Sequence, residues 1–253
     1  MIKLKREEEP QILVDNKINW TSNLIAAVTR YGSYKDIPKE EKNILVSKYN
    51  HIEVKNALIK SSFSKCAFCE SIPSESGNVE IEHYYPKSIY PNETFNWINF
   101  LPCCRKCNES KSNHDTKKEP IINPYDIEPN DVFIYELFNI KEKDSALKNV
   151  AKKTIDVCSL NSQRLWKPRA EILLAIHQFN SDLHNLIDEF KEADNERKKT
   201  NKLKNIRETI DRIEDLMKPN ERYSGFCKFY IKNSSEYQEA KDLISKYKEN
   251  FFY

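Results

Sequence analysis

Apolar residues recur at three- and four-residue steps over most of this chain, and the pattern breaks in one place. From Asn19 to about Phe63 the period is helical. Leu24, Ala27 and Val28 share one face, and Ile44, Leu45, Tyr49, Ile52 and Leu58 continue the stripe. Gly32 and Pro38 divide this region into at least two helices. Residues 1–15 ahead of it read as a short extended segment ending at Leu13–Val14. Ala146 to Val157 can form one helix. A longer helix is expected to start near Pro168, a residue suited to a first helical turn, and carries Ile172, Ile176, Phe179, Leu183, Ile187 and Phe190. Leu203, Ile206, Ile210, Ile213 and Met217 repeat the period up to Pro219. The polar run 191–202 separates these two blocks, which predicts an antiparallel helical hairpin. Tyr230, Ile231, Tyr237, Leu243 and Tyr247 supply further short helices. Such stripes are core positions, and the charged run 191–208 reads as a solvated helical face.

The break falls at residues 64–125, where cysteines, prolines and asparagines gather and long helical periodicity vanishes. Asn123–Asp126 and Pro129–Asp131 then read as turns, and Val132–Tyr135 as a strand. The expected fold is mainly α with a small α+β module. A helical region spans 1–62, the site-bearing module 63–126, and a C-terminal helical domain 127–253.

Composition changes this picture in three ways. The 41 basic and 39 acidic residues leave a net charge of only +2, so any surface that attracts phosphate must be local. Three glycines in 253 residues suit a helical chain better than an all-β one. No stretch approaches the roughly 20 apolar residues of a membrane span, and the opening Met1–Pro10 has no apolar core of a signal peptide. A cytoplasmic location is the expectation. In that reducing compartment the seven cysteines are not a disulfide framework.

Five of those cysteines lie between residues 66 and 107. Cys66-x-x-Cys69 and Cys104-x-x-Cys107 are two pairs, each able to offer two thiolates to one metal ion from a tight turn. Together they supply the tetrahedral sulfur shell that zinc prefers. Four protein ligands leave no open position for water, so this zinc would be structural, clamping the ends of the segment between the pairs. Cys103 sits beside Cys104 but lacks the two-residue spacing and is read as a spare thiol. Cys158 and Cys227 are read as buried small apolar residues.

Inside the clamp lies Glu80-Ile81-Glu82-His83-Tyr84-Tyr85-Pro86-Lys87, followed by Trp97-Ile98-Asn99-Phe100-Leu101 and by Cys107-Asn108-Glu109-Ser110-Lys111. This order resembles the HNH, or ββα-metal, nucleases that carry a four-cysteine zinc site. Asn108 stands at the third letter of that motif, which makes this an HNN variant. Glu82–Ser88, Trp97-x-Asn99-Phe100-Leu101 and Asn123-Pro124-Tyr125 are similar to the PtuB-like HNH nuclease family of Septu and retron antiphage systems. Ile2–Arg6 with Pro10, and Ser159-Leu160-Asn161 with Arg164 and Leu165, also look family-like. The resemblance spans roughly residues 1–170.

The resemblance implies a role for each residue. His83 would be the general base that deprotonates water for attack on phosphorus. Asn99 would orient His83 by bonding to backbone near it. Glu82 and Asn108 would hold one Mg2+ or Mn2+, hard ions that take oxygen ligands. Lys111, Lys87 and Arg105 would meet phosphates. Many HNH nucleases have aspartate where this chain has Glu82. On a regular strand Glu82 and His83 point to opposite faces, and Glu80 shares the face of Glu82, so either carboxylate could serve the ion. Arg105, Lys106, Lys111, Lys117 and Lys118 outnumber Glu109 and Asp115 nearby, a local excess the whole-chain charge hides.

The expected function is metal-dependent endonuclease action on DNA in phage defence, alongside a PtuA-like ATPase of the ABC or SMC type and, in some systems, a retron reverse transcriptase with its RNA–DNA product. No Gly-x-x-x-x-Gly-Lys loop occurs in this chain, which fits a separate ATPase without by itself establishing one. The helical flanks 15–62 and 140–253 are expected to dock that partner. An RNA- or tRNA-directed nuclease stays open, because nothing in the motif reads a 2′-hydroxyl. So does a non-catalytic zinc module that binds nucleic acid or protein. His51, His177 and His184 fall in helical stretches without an assigned role, and His114 reads as a solvated loop residue.

Overall fold

The computed structural model describes residues 1–73 and 78–250, with side chains to Tyr247. The chain folds as two compact units, residues 1–133 with 140–161 and residues 134–139 with 162–253. No helix among the described residues is long and apolar enough to cross a membrane.

The first unit opens irregularly and turns helical at α1, Gln11–Tyr31. Leu13 and Val14 therefore lie in a helix, not at the end of an extended segment. Pro10 causes this: its φ of −57° is already helical, and its carbonyl accepts from Leu13 N at 2.9 Å. Leu13, Leu24 and Ala27 form the buried stripe. The helix stops at Gly32, whose φ of 86° suits glycine. Then come α2, Lys39–Val46, started by Pro38, and α3, Ile52–Ser61, capped by the His51 side chain. Ile44 and Ile52, expected on the apolar stripe, are 69% and 62% exposed. Both helices are short and present a single face inward, held by Val46 in α2 and by Val54 and Leu58 in α3.

Strands β1, Glu80–His83, and β2, Phe100–Cys103, pair antiparallel, with Glu80 opposite Cys103 and His83 opposite Phe100. Helix α4, Arg105–Lys111, follows directly. Leu13, Val54, Leu58, Ile81, Trp97 and Phe100 form one apolar cluster, so α1 and α3 cover one face of this small sheet. Arg6 rivets the entry to β2. It donates to the carbonyls of Trp97, Ile98 and Phe100 at 2.9–3.1 Å, and its guanidinium lies 3.8 Å from the centre of the Tyr125 ring.

Helix α5, Lys148–Val157, belongs with this unit. Its Thr154 hydroxyl accepts from Ile122 N at 2.7 Å, and Ser110 on α4 donates to Val157 O at 2.8 Å. Between α4 and α5, the turn at Asn123–Asp126 closes as expected, and β3, Phe133–Glu136, pairs with β4, Asn139–Glu142.

The second unit is helical: α6, Gln163–Lys191; α7, Glu196–Asp215; α8, Ser224–Lys232; and α9, Ser235–Asn250. The expected hairpin is present. Ile176, Leu183, Ile187 and Phe190 of α6 meet Ile206, Ile210 and Ile213 of α7. Two boundaries differ from expectation. Helix α6 starts at Gln163, five residues before Pro168, which lies inside it. The stripe of Leu165, Ile172 and Ile176 carries the helix through a proline that removes one bond near its start. Helix α7 starts at Glu196, inside the polar run, because Asn195 caps it by accepting from Lys198 N at 2.9 Å.

Candidate metal and catalytic site

The alternation of β1 sorts the candidate residues into two groups. Ile81 and His83 face the apolar side, where Phe100 lies, whereas Glu80 and Glu82 face α4. On α4, Asn108 and Lys111 are three residues apart and so share one helix face. Asn108 Nδ2 donates to Glu80 Oε2 at 2.7 Å, and Lys111 Nζ donates to Glu82 Oε1 at 2.6 Å and to His83 O at 2.8 Å.

His83 is 3% exposed. Its ring meets Tyr49 and Phe100 edge-on, with centroids 4.7 and 5.1 Å away. Nε2 lies 2.9 Å from the carbonyl oxygen of Thr94, which can only accept. The proton is therefore on Nε2, and the lone pair of the neutral ring is on Nδ1. Nδ1 has no hydrogen-bond partner among the described residues. Burial, and then the positive charge of Lys87, push the imidazole down to about 3, so it is neutral at pH 7.

Asn99, buried just ahead of β2, holds the loop that follows His83. Its Oδ1 accepts from Tyr85 N at 2.6 Å, and its Nδ2 donates to the carbonyls of Tyr85 and Glu93 at 3.0 Å. The Asn99 carbonyl also accepts from Tyr84 N at 2.8 Å. All four bonds fix the backbone within two residues of His83 and at Glu93, next to the carbonyl that holds the imidazole.

The three expected phosphate contacts are placed differently from one another. Arg105 is exposed and bonded to Glu109 at 2.7 Å. Lys87 is half-buried, with Nζ 5.5 Å from the Tyr49 ring centre, and burial lowers its proton affinity while Glu82 opposes this. The Lys111 side chain is fully buried against Glu82. Burial pushes the Glu82 carboxyl up, and the Lys111 ammonium offsets only part of that rise.

The cysteine site closes the other end of the sheet. The sulfurs of Cys66, Cys69, Cys104 and Cys107 all lie within 4.8 Å of one another, and all four residues are buried. A tetrahedral zinc with Zn–S of about 2.3 Å sets sulfurs about 3.8 Å apart. The Cys69–Cys104 separation is 3.7 Å, so the sulfurs fit such an ion. Two local folds present them. The Cys66–Cys69 turn closes with Glu70 N donating to Cys66 O and is laid on β2 by Ala67 N donating to Pro102 O at 2.8 Å. Cys104 caps α4, its sulfur accepting from Cys107 N at 3.5 Å.

Cys103 is outside this set, but its sulfur is 3.9 Å from that of Cys66. Burial pushes the Cys103 thiol up. Burial works against ionising Cys66 too, yet contacts to the sulfurs of Cys103, Cys104, Cys107 and Cys69 outweigh it and hold that thiol well below its usual range. Cys158 and Cys227 are buried, as expected, and neither is in a disulfide.

This geometry accompanies a likeness to known proteins. The chain is similar to Septu protein PtuB. With the protein of that name from Bacillus thuringiensis it is 37% identical over 171 residues, which are 67% of this chain and 58% of the relative. With that from Bacillus mycoides it is 28% identical over 205 residues, 68% of this chain and 67% of the relative. The chain thus spans somewhat more than half the length of the first. No family model matches it.

Sequence reasoning missed Tyr49 and Thr94, which meet His83 through packing and a backbone carbonyl and leave no local pattern. The burial of Lys111 had a signal: its three-residue spacing from Asn108, against Glu80 and Glu82 two apart on a strand.

One pH dependence follows from the buried imidazole. The unfolded chain takes up a proton near the ordinary 6.5, whereas the folded ring does so only near about 3. Stability owed to His83 is thus fully present above pH 6.5 and is lost as pH falls toward 3. Between pH 6 and 4, chemical denaturation of the wild type should lose about 1.4 kcal/mol per pH unit more than His83→Gln does. Equal slopes would mean that the imidazole is solvated in the fold.

Proposed function

We propose that this chain is an HNH-type nuclease of the PtuB-like kind, hydrolysing DNA phosphodiesters as a component of Septu antiphage defence. The observation that carries the reading is His83. An imidazole held by Thr94 O keeps its lone pair on Nδ1, the atom that would accept the proton from water. Asn99 holds the loop beside it, and the β1–β2–α4 arrangement supplies the ββα frame.

Glu80, Glu82 and Asn108 would hold the Mg2+ or Mn2+ ion. Their oxygen-bearing side chains meet on the α4 side of β1, opposite the His83 ring, so one shared site requires ion and base to meet around the end of the strand at His83. When bound, such an ion neutralises charge on the phosphate and on the leaving oxygen. The soft sulfur cluster would hold zinc and keep the frame closed. Substrate phosphate also tunes the base. Burial is what most weakens the His83 imidazole as a base, and Lys87 and then Lys111 add to it, so phosphate charge arriving at these lysines would offset the smaller part of that depression.

Cleavage of plasmid DNA by the zinc-loaded protein, with Mg2+ or Mn2+ and its partner present, tests this. His83→Ala should lower the rate at least about a hundredfold while zinc content stays at one per chain. Loss of zinc in that variant would place His83 in the structural site. Unchanged cleavage would leave a non-catalytic zinc module, and selective cleavage of RNA would redirect the substrate.

The same resemblance implies an ATPase partner, PtuA-like, and we assign its docking to the second unit. That unit supplies no residue of the site. Its groove of about 770 Å3 is lined by Leu137, Leu173, Ile176, Phe229 and Tyr230. Leu137 and Leu174 on its rim are 63% and 70% exposed, an apolar surface that suits a protein partner. Leu174→Glu should abolish co-purification with the ATPase and spare zinc content. Retained co-purification would move docking to another surface.

A further inference from the structure

Lys111 is the one site residue whose position conflicts with its expected role. A phosphate-binding lysine needs a free ammonium, yet this side chain is fully buried. Its Nζ uses two of three donors on Glu82 Oε1, at 2.6 Å, and His83 O, at 2.8 Å. One turn earlier Asn108 spends its amide donor on Glu80. Each carboxylate on the acidic face of β1 thus has one oxygen bonded to α4. Lys87, half-buried, adds a second positive charge that both Glu82 and Lys111 sense.

A divalent ion entering at Glu82 meets this ammonium. Lys111 and Lys87 already set two positive charges beside Glu80 and Glu82, so a divalent ion brings charge that these two carboxylates leave unbalanced. Either Lys111 leaves or an anion arrives with the metal. The anion that a nuclease site receives is the phosphodiester itself, and an extended lysine freed from Glu82 can follow it.

We propose that Lys111 is an internal cation that occupies the charge of the metal site, making divalent-ion binding conditional on nucleic acid. It is a positioning residue: it holds Glu82 in place while the site is empty and is displaced toward phosphate when metal and substrate enter together. The idle protein would then bind Mg2+ weakly and stay inactive until substrate is present. The proposal rests on the hard-ion reading of Glu80, Glu82 and Asn108 given above.

Mn2+ binding to the zinc-loaded full chain, followed by the electron paramagnetic resonance of free Mn2+, tests it without any cleavage. In the absence of nucleic acid, Lys111→Gln should bind Mn2+ at least about tenfold more tightly than the wild type, and Lys111→Arg, which keeps the charge, should not. A phosphorothioate oligonucleotide should tighten binding to the wild type. A second measurement needs no variant. Lys111 in the wild type should resist acetylation by an N-hydroxysuccinimide ester, read by mass spectrometry, and become reactive at saturating Mn2+. Equal affinity of wild type and Lys111→Gln, or acetylation of Lys111 that ignores Mn2+, would overturn the proposal while leaving the metal site standing. Absence of Mn2+ binding in all three proteins would remove the hard-ion reading itself, and the proposal with it.

Discussion

The two-residue period of one short strand governs this molecule. Glu80, Ile81, Glu82 and His83 alternate across β1, so the strand must satisfy an apolar core on one side and two carboxylates on the other. Helices α1 and α3 answer the first demand through Leu13, Val54 and Leu58. Helix α4 answers the second through Asn108 and Lys111. A slip of one residue in the pairing with β2 would bury the carboxylates in the core and expel His83. Register is therefore the variable that the surrounding structure has to fix.

Several weak devices fix it together. The strands have four residues each, too few to hold a register alone. Arg6 grips the carbonyls of Trp97, Ile98 and Phe100 where the chain enters β2, and Asn99, between them, ties the same point to the loop leaving β1. At the other end, Cys104 and Cys107 follow β2 directly, and the Cys66–Cys69 turn rests on it. A metal held by those four sulfurs would pin both ends of residues 66–107 to one sheet. The two proposed ion sites would divide the work by chemistry. Sulfur closes the frame, and oxygen and nitrogen face the strand's solvent-excluded acidic side.

Much of this is legible in the sequence, and the reasons differ by residue. The cysteine pairs announce themselves because metal ligation demands close spacing within each turn. Asn99 is readable only through the resemblance, because its bonds to the Tyr85 backbone span fourteen residues and leave no local pattern. The helical core of α6 and α7 follows from periodicity alone. Other features stay hidden for physical reasons. The start of α1 escapes when Leu13 is taken apart from Leu24 and Ala27, although Pro10 marks the helix entry. The start of α6 is ambiguous because a proline tolerated inside a helix looks the same as one that begins it. Tyr49 and Thr94 reach His83 from distant points of the chain, and no local pattern encodes that. Lys111 carries an ordinary basic label, and only its partner on another element makes it buried.

The central claim is that one small frame carries two distinct ion sites, a sulfur cluster and an oxygen face. X-ray absorption at the zinc and manganese edges of one doubly loaded sample, with a phosphorothioate oligonucleotide present, tests it most directly. Zinc should show four sulfur neighbours at about 2.3 Å and, in the same protein, manganese only oxygen and nitrogen neighbours. Zinc with a nitrogen ligand, or manganese that enters only by expelling zinc from the sulfurs, would contradict it.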